Sequence, residues 1–150
     1  MNKSFSNWIK WADRTELNGL NCPGVYALAI SRSVLSGKAF SWQREIVYIG
    51  MTNAKGGLKS RLQQFDNSIK GGDGHGGAFR VRFKHSDYTK LTKRLYVSVC
   101  PQNCDVSTNT PSDLRVMGMV ASHEYECFAR FVEEFGGLPE FNDKRRSPKK

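Results

Sequence analysis

Apolar residues change their period several times along the chain, and each change marks an element. Residues 24–30, GVYALAI, and 45–51, EIVYIGM, are dense in apolar and β-branched side chains and bounded by Gly, Ser and Pro, which predicts two strands. In RLYVSVC, residues 94–100, Leu95, Val97 and Val99 alternate with their neighbours and Pro101 closes the run, predicting a third core strand. Leu58, Leu62, Phe65 and Ile69 recur instead at helical spacing, with Lys59, Arg61 and Gln64 on the other faces of the same amphipathic helix. The longest helix is predicted after Pro111, with Ser112 and Asp113 as start residues. Met117, Val120, Glu124, Cys127, Phe128, Phe131 and Val132 share its apolar face, and Gly136 and Gly137 end it.

The remaining segments are less regular. Residues 4–20 place Trp8, Ile9 and Trp11 among charges and run into turn-prone Asn-Gly, which reads as a short helix or packed arm. Residues 31–44 are too many for a tight hairpin and predict an elaborated loop, with Gly37 at a turn and Trp42 packed. The run GGDGHGG, residues 71–77, cannot continue a helix. The next segment, AFRVRFKH, alternates Phe79, Val81 and Phe83 with Arg80, Arg82 and Lys84, and predicts an extended, half-buried piece whose basic face binds nucleic acid. The tail at 143–150 is basic, contains proline and has no apolar anchor, so it is expected to be disordered. No internal repeat is visible.

Length and charge narrow the class. With 150 residues the chain suits one domain, residues 1–142, including its N-terminal helical arm. A formal net charge of +9 favours a polyanionic partner, with nucleic acid ahead of an anionic membrane surface. The N-terminus lacks the apolar core of a secretory signal and no segment is long and apolar enough to span a bilayer, so a soluble cytoplasmic protein is expected. Cys22, Cys100, Cys104 and Cys127 form no disulfide pattern; Cys100 and Cys104 offer at most half of a zinc site.

The sequence Gly24-Val25-Tyr26 on one strand, Tyr48-Ile49-Gly50 on the next, Arg61 on the following helix, Glu124 on the late helix and Asn142 beyond it resembles the GIY-YIG nuclease family. The resemblance implies a mixed α/β (α+β) domain, a small three-stranded central sheet flanked by helices. It also implies a metal-dependent endonuclease acting on nucleic acid, here DNA. By resemblance Tyr26 lies at the attacking water, Tyr48 stands beside it, and Arg61 offers its donor fork to the scissile phosphate. Glu124 is the metal-ligand candidate on its own merits too, since a carboxylate on the stripe of Val120, Phe128 and Phe131 is costly to bury without a cationic partner. A single protein carboxylate suits Mg2+ (or Mn2+), which keeps most of its waters and takes a substrate oxygen.

His75 in the glycine-rich run is an auxiliary acid, base or DNA contact, and Asn142 resembles the family's late site-organising asparagine. Lys59 is expected on the phosphate backbone rather than in the chemistry. The long loop between the tyrosines is a place for a substrate-contacting insertion. Little chain remains to read DNA sequence, so specificity falls to that loop, a homodimer, DNA shape or a protein partner. The rival readings are a nucleic-acid-binding module that cuts nothing and a subunit active only within a repair or mobile-element complex.

Overall fold

The computed structural model describes residues 3–145; of the basic tail expected at 143–150, residues 146–150 lie outside the described residues. The fold is mixed α/β. An antiparallel sheet runs in the order β1-β4-β2-β3, formed by β1 (Ile9–Lys10), β2 (Gly24–Ile30), β3 (Ile46–Thr52) and β4 (Leu95–Pro101). Helices α1 (Gly57–Lys70), α2 (Gly76–Lys84), α3 (Tyr88–Thr92) and α4 (Pro111–Phe135) surround it. Among the described residues no helix is long and apolar enough to cross a membrane.

The sheet has four strands where three were expected, because part of the N-terminal arm joins it. Ile9 and Lys10 pair with Val97 and Tyr96 of β4, and only then does a short 3-10 helix, Trp11–Glu16, form. A two-residue strand has no period of its own, so its identity comes from β4. Trp8 and the loop at 31–44 hold the arm down: Trp8 N–H donates to Lys38 O and Gly37 N–H to Trp8 O, both at 2.9 Å. Gly37 sits at the expected turn with φ +80°, and Trp42 packs edge-on against Phe5 and Phe40.

Both faces of the sheet are covered. On one, Tyr26, Leu28, Tyr48, Val97 and Val99 meet α1 through Leu58, Leu62, Phe65 and Ile69 and α2 through Ala78 and Val81. On the other, Val25, Ala27, Ala29, Ile46, Ile49 and Tyr96 meet α4 through Val120, Cys127 and Phe131. An irregularity between Leu28 and Ala29 makes Tyr48 face Leu28 while Ile46 faces Ala29. The unpaired Val47 therefore breaks the alternation of β3, sending Ile46 and Tyr48 to opposite faces.

Two expectations are overturned. The segment AFRVRFKH is helical, not extended: it belongs to α2, where Arg80 turns inward (6% exposed) and Phe83 outward (53% exposed). Its alternation fails because a buried arginine found a partner, Arg80 Nε donating to Phe141 O at 2.8 Å, and His75 caps the helix start by accepting from Ala78 N–H. In α4, Val132, expected on the buried face, is exposed; the buried stripe is Val120, His123, Cys127 and Phe131. Adding His123 and dropping Val132 reflects the 3.6-residue turn, which carries Val132 past the sheet.

A buried carboxylate fastens the arm to the helical layer. Asp66 accepts hydrogen bonds from Trp11 Nε1 and from Tyr88 Oη, both at 2.8 Å, and pairs with Lys70 at 2.8 Å and Arg14 at 3.4 Å. Burial alone would raise this carboxyl, but hydrogen bonds from Lys70, Trp11 and Tyr88 outweigh it and hold Asp66 below its ordinary range.

Candidate active site

Tyr26 is opposite Gly50 and Tyr48 is opposite Leu28, so the two tyrosines lie diagonally on one face of the β2–β3 pair, their ring centroids 6.1 Å apart. Two glycines make room for them. A Cβ on Gly50 would overlap the Tyr26 ring, and a Cβ on Gly77 in α2 would overlap the Tyr48 ring. The YIG glycine is thus the floor on which the first tyrosine lies.

Tyr26 is fully buried, and Tyr48, 9% exposed, is the more open of the two. The resemblance puts Tyr26 at the attacking water; in the structure that phenol is fully buried, with His75 at the start of α2 against it. Its oxygen is 3.0 Å from His75 Nε2. The other ring nitrogen, Nδ1, accepts the backbone N–H of Ala78 at 3.3 Å. A nitrogen that accepts carries no proton, so neutral His75 has its proton on Nε2 and donates it to Tyr26. Burial, then the nearby Arg61 and Arg80 cations, push His75 down to about 4. Its backbone N–H is tied to Ser68 Oγ, and Phe65 and Tyr48 pack edge-on against the ring.

Arg61 and Glu124 arrive from α1 and α4. Burial raises the Tyr26 phenol well above its ordinary value, Tyr48 adds to this, Arg61 opposes it and Glu124 pushes it further up. Burial likewise raises Tyr48, with Arg61 and Arg80 pulling it down and Glu124 pushing it up. All four predicted side chains therefore act on one another across a single site. Glu124 is half-buried; burial raises its carboxyl and Arg61 opposes that rise. Arg61 gives one donor to Gln64 Oε1 at 3.2 Å, while its buried Nε has no hydrogen-bond partner among the described residues. An unspent cationic donor beside a raised carboxylate suits an anionic oxygen and a cation together.

No group of three or more His, Cys, Asp or Glu that could hold a metal occurs among the described residues. A cation here would rest on Glu124 alone, with water and phosphate oxygens completing its shell, a donor set that fits Mg2+ rather than zinc. Cys100 and Cys127 are buried and outside any disulfide, and burial pushes Cys127 up to about 12.

Asn142 closes the free edge of β3. Its Oδ1 accepts Ile49 N–H at 2.9 Å and its Nδ2 donates to Ile49 O at 2.8 Å, so one side chain imitates a ladder rung beside the YIG tripeptide. Asn53, just past β3, donates to Met117 O at 3.0 Å and ties the strand's exit to the helix that bears Glu124.

The cations assigned to nucleic acid are scattered. Lys59 is exposed on α1 and Arg82 lies over the Phe79 ring, but Arg80 is spent on Phe141 and Lys84 is paired with Glu140 at 2.6 Å. The α1 N-terminus is occupied too, with Leu58 and Lys59 N–H bonded to the carbonyls of Cys22 and Leu20. His75's bond to Tyr26 and the two glycine seats escaped the sequence reading. The one signal for them was a histidine among glycines directly before a helix.

No protein-family model, curated protein or solved structure matches this chain.

Proposed function

We propose that the chain is a GIY-YIG-type endonuclease hydrolysing DNA phosphodiesters with one divalent cation, Mg2+ or Mn2+. The observation that carries this reading is that Tyr26 and Tyr48, with ring centroids 6.1 Å apart on adjacent strands, stand within electrostatic reach of Arg61 from α1 and Glu124 from α4. Phosphodiester hydrolysis needs a proton acceptor for water and positive groups for the charge that builds on phosphate oxygens. When bound at Glu124, the cation supplies part of that positive charge and support for the leaving oxygen.

The remaining work falls to the chain's own groups. Arg61 orients the phosphate through its guanidinium fork, whose Nε has no hydrogen-bond partner among the described residues. Tyr48, the less buried phenol, takes the proton from water in the fraction of molecules where it is ionised to phenolate, and Tyr26 stands beside it, hydrogen-bonded by the Nε2–H of His75. Asn142 and Asn53 hold the strand carrying Tyr48 against the elements on either side.

Purified protein incubated with supercoiled, linear, branched and single-stranded DNA, with Mg2+, Mn2+ or EDTA, tests the reading. Cleavage should require metal and be lost in Glu124→Gln and Arg61→Ala. Binding of DNA with no metal-dependent cutting by the wild type would instead favour the non-catalytic binding module, and full activity in Glu124→Gln would sink the assignment.

A further inference from the structure

The face of α4 turned away from the sheet is apolar and small where a solvated helix is expected to be polar. Leu114, Gly118, Ser122, Tyr125, Ala129 and Val132 recur every three or four residues along it, all exposed, and Tyr125 stands out at 73%. A Cβ on Gly118 would meet nothing within 4 Å. The buried stripe of the same helix, Val120, Cys127 and Phe131, lies on the opposite side, so this second stripe stands outside the core of one chain, touching it only through the Tyr125–Phe128 ring contact.

Its order along the helix is self-complementary. When two copies of α4 run antiparallel about a two-fold axis between Ser122 and Tyr125, Tyr125 of each stands level with the small Ser122 of the other. Leu114 then meets Val132. The same operation brings flank to like flank, and on that flank Arg115 lies opposite Glu133, twice by symmetry. The two Arg115–Glu133 pairs give this register its charge complementarity to a second copy. We infer that the outer face of α4 is a homodimer interface, an antiparallel helix pair centred on Ser122 and Tyr125 and flanked by two Arg115–Glu133 pairs.

A helix pair of this length, about 37 Å, places the contact at the small end of specific interfaces, so dissociation is expected on the order of micromolar. Sedimentation velocity from about 1 to about 200 µM reads it directly. Wild type should shift from monomer to dimer. Ser122→Arg, at an exposed position, should remain monomeric with an unchanged far-UV melt. Arg115→Glu should weaken association about tenfold, and adding Glu133→Arg should restore it. A wild type that stays monomeric throughout, or a dimer indifferent to Ser122→Arg, overturns the interface; single-variant losses that the charge exchange fails to repair overturn its antiparallel register. The readout is mass, so the outcome stands apart from whether the chain cuts DNA.

Discussion

His75 donates its Nε2 proton to the phenol oxygen of Tyr26 across 3.0 Å of buried space, while its Nδ1 caps the start of α2. One ring thus joins the candidate chemistry to the helix that covers it, and the two duties are separable. In His75→Asn the shorter amide keeps an oxygen near the capping position and loses the contact with Tyr26; in His75→Gln the longer amide reaches toward Tyr26 and loses the cap. Cleavage should fall about tenfold or more in the asparagine variant, with the glutamine variant nearer wild type. Thermal melts should rank them oppositely, since a lost cap costs about 1 kcal/mol. Equal effects of both variants on both readouts would refute the division of labour.

Acid stability should fall in two steps. His75 binds its proton at about 4 when folded but near 6.5 when unfolded, so the unfolded chain takes it up first. Stability is therefore lost as pH drops from about 6.5 to 4, by about 3 kcal/mol at most. Asp66 is held below the ordinary carboxylate range, so its contribution is intact above that range and lost as pH falls below it. Urea unfolding against pH should show both limbs. His75→Asn should shrink the upper one, to which the depressed His85 and His123 also contribute, and Asp66→Asn should flatten the lower one, costing about 3–5 kcal/mol at neutral pH.

Both phenols are raised by burial, so at neutral pH both are protonated in the folded protein. If Tyr48 is the acceptor, the cleavage rate should climb with pH through the neutral range, about tenfold per unit, and Tyr48→Phe should remove the dependence along with most of the activity. A flat profile in the wild type would exclude a phenol as the base.

The glycine seats give a steric test. Gly77→Ala drives a methyl into Tyr48 and Gly50→Ala drives one into Tyr26, so each should cost about 1–3 kcal/mol and displace a site phenol. Cleavage should drop more than stability explains, measured well below each variant's melting temperature.

Asn142→Ala removes two hydrogen bonds from the edge of β3 and should cost about 1–3 kcal/mol. Asn142→Asp keeps an acceptor for Ile49 N–H but sets a carboxylate against Ile49 O. Its stability should improve relative to wild type as pH falls into the carboxylate range, a trend that equilibrium unfolding can follow.

Periodicity and residue type encode the local part of this fold. The strands bearing Tyr26 and Tyr48, the α1 stripe from Leu58 to Ile69 and most of α4 were legible because each side chain's direction follows from its own element's repeat. The tertiary structure alone decided what depends on a neighbour distant in sequence. Ile9 and Lys10 are strand only because β4 offers an edge, and the alternation of AFRVRFKH yielded to a helix once Phe141 O received Arg80. Tyr26 is fully buried, with His75 at the start of α2 set against it. Burial and hydrogen-bond satisfaction are properties of the assembled chain, and no local window of residues contains the partner that settles them.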